Sequence, residues 1–204
     1  MIKNIIFDLS EVIISGYHGI EQLIEQKYNI PALEFKNRKK ETFSSTFYEL
    51  MRGNLTEEEY WKEFLEETNW NITVEDLKMI IREYLNQPIE GTMEIIKQLK
   101  GKYQLILLSD HVKEWMEYIQ EKNQDIKIFD KVILSYKIGS LKCDEQTFKE
   151  VLKQTQIVAD ETLFIDDVDV NIKKAEEVGI HGILFENANQ LKEELQQKYH
   201  IQIN

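Results

Sequence analysis

Cysteine is nearly missing from this chain: Cys143 stands alone among 204 residues. An internal disulfide framework is therefore excluded, and a reducing, cytoplasmic location is expected. Proline is almost as scarce, and Pro31 and Pro88 both fall where helical patterns break. No apolar run approaches the roughly 18 residues that a membrane span needs. The amino terminus enters an apolar strand without the basic segment and longer apolar run of a signal peptide. Positive charge is also in deficit, with 25 Lys and Arg against 37 Asp and Glu and a formal net charge of −12. That balance argues against nucleic acid or an anionic membrane as partner, and any anionic substrate must be drawn by a local cation. Repeats and low-complexity segments are absent. What is present is ordinary globular material, 42% hydrophobic and 30% charged, enough for one core carrying a smaller insertion.

Residues 2–9 form a short, mainly apolar run with a single carboxylate, Asp8, near its end. Such a run fits a strand buried in a parallel sheet, where an unpaired carboxylate costs on the order of several kcal/mol. The cost is avoided if Asp8 lies at the carboxyl edge of the strand and meets a cation there; the alternative is a solvated helix cap. Between residues 15 and 88 apolar spacings of three and four mark helices over Glu21 to Tyr28, Phe35 to Met51, Glu57 to Glu67 and Val74 to Leu85. Thr56 with Glu59, and Thr73 with Asp76, signal helix starts. From Gly91 helix and strand alternate, with strands over Tyr103 to Leu108, Lys131 to Leu134, Glu161 to Ile165 and Gly182 to Phe185. The expected fold is α/β, a Rossmann-like doubly wound parallel sheet formed by residues 1–14 and 89–204, with an all-helical cap inserted over residues 15–88.

The strand ends share one chemistry. They carry Asp8, then Ser109-Asp110, then Gly139-Ser140-Leu141-Lys142 after a short loop, then Asp166-Asp167. A parallel sheet puts all of them on one edge. Acids so close repel unless a cation joins them, and an all-oxygen donor set suits Mg²⁺. Taken singly, Ser109 could cap the next helix, Lys142 could be a surface lysine, and the two acids could form a turn.

With these motifs in hand, the chain resembles the haloacid dehalogenase-like superfamily, in the subgroup with a helical cap after the first strand. Phe7-Asp8-Leu9-Ser10-Glu11-Val12-Ile13 is similar to its first motif, Leu107-Leu108-Ser109-Asp110 to the second, Gly139-Ser140-Leu141-Lys142-Cys143-Asp144 to the third, and Leu163-Phe164-Ile165-Asp166-Asp167-Val168-Asp169-Val170-Asn171 to the fourth. The resemblance implies a Mg²⁺-dependent phosphatase acting on a small phosphorylated metabolite, a sugar phosphate being one candidate, as a monomer or homodimer. In that reading Asp8 is the nucleophile and forms an aspartyl-phosphate. Asp8, the Ser10 carbonyl, Asp167 and Asp166 hold the metal. Ser109, Asp110 and Lys142 meet the phosphate. A 2-haloacid dehalogenase, which uses the same nucleophile without metal, is a second reading, although tandem acids without a cation only repel. A catalytically impaired binding protein is a third.

Three positions depart from the family pattern. Ser10 replaces the usual acid/base Asp, help worth about 10²–10⁴-fold. Sugar-1-phosphate phosphatases of the family resemble this chain in lacking that carboxylate, as do phosphatase domains of epoxide hydrolases in overall pattern. Asp110 stands where Asn is common, and Asp110, Glu11 or His111 is the candidate substitute for the missing acid/base. Cys143 replaces a proline and leaves the rigidity of the Lys142 loop open; a reactive thiol has no support. In the cap, Tyr17, His18 and Arg52-Gly53-Asn54 are the candidate pocket residues. Tyr60-Trp61, Phe43, Phe47 and Trp70 read as cap core, Trp115 and Tyr118 as helix–sheet packing, and Glu57-Glu58-Glu59 as a solvated helix start.

Overall fold

The computed structural model describes residues 1–42, 46–66 and 68–203. Five parallel strands, β1 (Asn4–Phe7), β2 (Gln104–Ser109), β3 (Lys131–Leu134), β4 (Thr162–Asp166) and β5 (His181–Leu184), form one sheet in the order β3-β2-β1-β4-β5. Strand parity divides the core. Ile6, Ile106, Leu108 and Phe164 pack with Phe148 and Val151 of one helix and Ile172 and Ala175 of another. Ile5, Phe7, Leu105, Leu107 and Leu163 face the opposite way, into the larger core. Both pleat faces are thus buried, which is why the strands read as nearly unbroken apolar runs.

The first face is covered by α9 (Thr147–Thr155) and α10 (Asp169–Glu177), and the second by α6 (Thr92–Leu99), α7 (Lys113–Lys122) and α11 (Ala188–Gln197). Between β1 and α6 the chain makes α1 (Ile20–Tyr28), α2 (Ala32–Thr42), α3 (Tyr48–Met51), α4 (Glu57–Leu65) and α5 (Val74–Tyr84). The strands entering and leaving this insertion hold each other: Ser15 N–H donates to Gln87 O, and Ile89 N–H to Ile13 O, both at 2.8 Å. Both anticipated capping boxes are present, Thr56 with Glu59 and Thr73 with Asp76.

Over Phe35 to Met51 the described residues form α2 and α3, and residues 43–45 between them lie outside the described residues. Phe43 and Glu67 lie outside the described residues. A short helix after β3, α8 (Ser135–Ile138), has too few residues for periodicity to show it. Inside the insertion Tyr60, Trp61 and Phe64 are fully buried, and Trp70 stacks on Phe35 at 5.6 Å, so these aromatics are packing residues.

Candidate active site

Phe7 sits level with Leu107 on one side and Ile165 on the other. Asp8 therefore emerges beside Asp166, between the strands where the chain reverses its direction across the sheet. Open α/β sheets leave their ligand crevice at such a switch point. Asp8, Asp166 and Asp167 each offer an oxygen, and these oxygens lie within 4.8 Å of one another. The Lys142 ammonium reaches in from the loop after α8, 2.8 Å from Asp8 Oδ1 and 2.6 Å from Asp166 Oδ2. Lys142 is buried, not a surface lysine. Asp166 closes β4, with its other oxygen accepting from Val168 N–H (2.8 Å) and Asn171 Nδ2 (3.0 Å). Leu9 N–H donates to Asp8 Oδ1 at 2.7 Å.

Charge is unbalanced here. Burial alone would strip Lys142 of its proton, but Asp166, Asp8 and Asp110 outweigh it and hold the ammonium charged. Burial pushes the Asp8 carboxyl well above the ordinary range, more than Lys142 draws it down, and raises Asp167 with help from Asp166. One lysine is too little positive charge for three carboxylates. An oxygen-binding divalent cation fits this donor set, with Asp8 and Asp167 as its best-placed side chains because Asp166 is already spent on Lys142, Val168 and Asn171. Ser109 supports the same reading: its hydroxyl is fully buried with no hydrogen-bond partner among the described residues. It caps nothing, since α7 starts four residues later at Lys113. A buried orphan hydroxyl is the kind of group that a ligand oxygen satisfies.

The departures at 110 and 143 explain each other. Both Asp110 oxygens accept from the Lys142 backbone N–H, at 3.1 and 3.0 Å. Asp144 accepts from Leu141 N–H at 2.8 Å and Ser140 Oγ at 3.2 Å, and the Ser140 and Thr147 hydroxyls lie 2.6 Å apart. Side-chain hydrogen bonds thus stiffen the lysine loop where a proline is absent. Burial lifts Asp110 to about 6, and drops the His111 imidazole to about 4. The two have opposite linkage. Between pH 4 and 6 the folded state holds the Asp110 proton that the unfolded state has lost, so Asp110 stabilises the fold as pH falls. His111 is neutral when folded and destabilises it over the same range. Asp110→Asn keeps an acceptor for the Lys142 N–H. It is expected to gain stability on the wild type as pH rises from 4 to 6, by up to about 1.4 kcal/mol per pH unit, measured by urea unfolding across that range. Parallel pH curves for the two proteins would refute a buried, proton-holding Asp110.

A cavity of about 250 Å³ opens from this acidic end, lined by Asp8, Ser10, Glu11, Asp110, Lys142 and Asp167 below and by the insertion above. Tyr17 and His18 line it as anticipated, and so does His111, whose Nδ1 faces Val112 O at 3.2 Å. Glu11 Oε1 accepts from Gly16 N–H at 2.8 Å on a left-handed backbone, φ 59°. Arg52, Gly53 and Asn54 do not line it. Arg52 instead grips Asp144 with two bonds of 2.8 and 3.0 Å, tying the insertion to the lysine loop, and Asn54 donates to Glu49. Trp115 was expected only to pack and instead faces the cavity, with Phe47, Tyr48 and Met51.

The solvated reading of Glu57 is also wrong. It is 2% exposed, accepts from the Trp115 indole at 2.6 Å and pairs with Arg82 at 2.9 and 2.6 Å. Glu57 thereby fixes a cavity wall across the insertion–core boundary. Burial pushes the Cys143 thiol up, against thiolate chemistry.

Fold and site together define a Rossmann-like hydrolase scaffold with an acidic centre at its switch point. The chain belongs to the haloacid dehalogenase-like hydrolase family, whose profile matches residues 5–185. It is 27% identical over 202 residues to a D-ribitol-5-phosphate phosphatase of Bacteroides thetaiotaomicron, covering 96% of this chain and 97% of that one. Among solved structures, a predicted HAD-like family hydrolase of Porphyromonas gingivalis superposes with a TM-score of 0.77 at 23% identity, over 99% of this chain and 100% of that one. A HAD family enzyme of Bacteroides thetaiotaomicron, crystallised with magnesium and inorganic phosphate, superposes with a TM-score of 0.74 at 24% identity, over 92% and 96%. Among the described residues no helix is long and apolar enough to cross a membrane.

Proposed function

We propose that this protein is a cytoplasmic, Mg²⁺-dependent phosphomonoesterase for a small phosphorylated metabolite, with residues 1–14 and 89–204 as catalytic core and 15–88 as cap. The observation that carries the proposal is the gathering of Asp8, Asp166 and Asp167 around the buried Lys142 ammonium, below a small cavity. The magnesium and phosphate bound by the structural relative, and the phosphatase named among the sequence relatives, support it.

Asp8 Oδ attacks phosphorus; the bond from phosphorus to the alcohol oxygen breaks and an aspartyl-phosphate forms. Bound magnesium neutralises charge on the transferring group and on the acids that hold it. Asp8, Asp167 and the Ser10 carbonyl are its proposed ligands, with Asp166 behind them. Lys142 supplies fixed positive charge to the phosphate oxygens, and is the only lysine or arginine among the described cavity-lining residues. Ser109 donates its hydroxyl to one phosphate oxygen. Water then attacks phosphorus and the bond to Asp8 breaks, returning the carboxylate. Ser10 cannot deliver or take these protons. Asp110 is spent on the Lys142 backbone and His111 is held neutral, so among the candidates for the missing acid/base Glu11 keeps the freest access to the cavity.

The test is phosphate release from p-nitrophenyl phosphate and acetyl phosphate, with magnesium and with EDTA. Release should need the metal and return when EDTA is titrated out. Metal-independent chloride release from a 2-haloacid would instead support the dehalogenase, and no turnover with either class would support a binding protein.

A further inference from the structure

The cavity has two unlike ends. Its floor is the acidic cluster; its upper wall is Tyr17, Phe47, Met51, Leu85, Val112 and Trp115. Tyr17 stacks on Phe47 with ring centroids 5.2 Å apart and approaches Trp115 at 5.5 Å, so the wall is a continuous aromatic surface. Trp115 Nε1 donates to Glu57 at 2.6 Å and His111 Nδ1 faces Val112 O, while the Tyr17 hydroxyl is buried without a hydrogen-bond partner among the described residues. Nearer the floor one Glu11 oxygen accepts from Gly16 N–H and Asn171 donates to Asp166.

We infer that the preferred substrate is a phosphomonoester whose alcohol carries a small apolar, aromatic body, and not a polyol. The inference rests on the phosphatase reading and deepens it. A polyol chain seated against this wall would exchange water for few partners, the buried Tyr17 hydroxyl among them, whereas a ring exchanges water for aromatic faces. The volume of about 250 Å³ falls below the usual range for drug-sized ligands, which suits a body about one ring in size. Its recognition is set by Trp115, a residue of the core whose indole plane is held by Glu57 of the insertion. Specificity is therefore written by both parts of the chain.

The experiment compares 2-phenylethyl phosphate with ribitol 5-phosphate, both of which release a primary alkoxide, so leaving-group chemistry is matched. The expected kcat/KM ratio favours the phenylethyl ester about tenfold or more. Trp115→Ala should bring that ratio towards one, Trp115→Phe should restore most of it, and Leu85→Asn should shift it towards the polyol without touching Trp115. Equal or better use of ribitol 5-phosphate by the wild type, with p-nitrophenyl phosphate still hydrolysed, overturns this inference and leaves the phosphatase standing. Failure of p-nitrophenyl and acetyl phosphate alike, with magnesium present, overturns both.

Discussion

Asp8→Asn is expected to lower metal-dependent phosphate release by roughly 10⁴-fold or more while leaving the protein folded. The substitution is nearly isosteric, so the amide oxygen can still accept the Leu9 N–H bond that the carboxylate accepts at 2.7 Å. What it loses is the charged oxygen that attacks phosphorus. It also removes one of three crowded carboxylates that share a single lysine, so unfolding in urea should need as much denaturant as before, or more. Wild-type enzyme quenched in turnover should carry phosphate that hydroxylamine displaces, and the variant none. A variant that keeps a tenth of wild-type activity would show that another group is the nucleophile.

Lys142→Met has the second largest expected effect, on stability and turnover together. Methionine fills a similar volume but leaves Asp8 and Asp166 without the ammonium now 2.8 and 2.6 Å away. Removing one partner of a buried ion pair costs about 3–5 kcal/mol. The pH dependence follows from the sign of each shift. The folded pKa of Lys142 is raised, so its contribution is complete below the unfolded value near 10.4 and is flat across pH 5 to 9. In the variant Asp8 loses its counter-charge and its carboxyl rises further. The deficit is therefore largest at alkaline pH and shrinks as pH falls through the raised range in which Asp8 protonates. Added magnesium should restore part of the stability, because a cation again meets the carboxylates. Turnover should fall by about 10²–10³-fold, the usual scale for losing one preorganised electrostatic partner. Urea curves at pH 5 and pH 8 with equal losses would show that Lys142 is not the counter-ion of the site.

Much of the site was legible because its order is local. Each strand is a short apolar run, and Asp8, Ser109 and Asp166 terminate three of them in an otherwise hydrophobic stretch. Once the strands are parallel, their ends must meet, so four separated motifs converge without any knowledge of side-chain packing. The capping boxes were legible for the same reason, since they span three residues of one turn.

Misread residues have partners far away in the chain. Glu57 sits in a run of three glutamates that locally looks like a solvated helix start. Its burial depends on Arg82, 25 residues on, and Trp115, 58 residues on. Arg52 faces Asp144 across 92 residues and not the cavity. Asp110, a candidate phosphate contact and acid/base in the sequence, holds the Lys142 backbone N–H, 32 residues away.

Amino-acid order by itself determined the parallel α/β sheet, the helical insertion after β1 and the identity of the acidic residues at the strand tips, because periodicity and strand ends are properties of neighbouring residues. Only the tertiary structure decided which charged groups are buried, that Trp115 lines the cavity and how the insertion is fastened over the site. Those depend on contacts between segments tens of residues apart, where burial reverses what a polar side chain does.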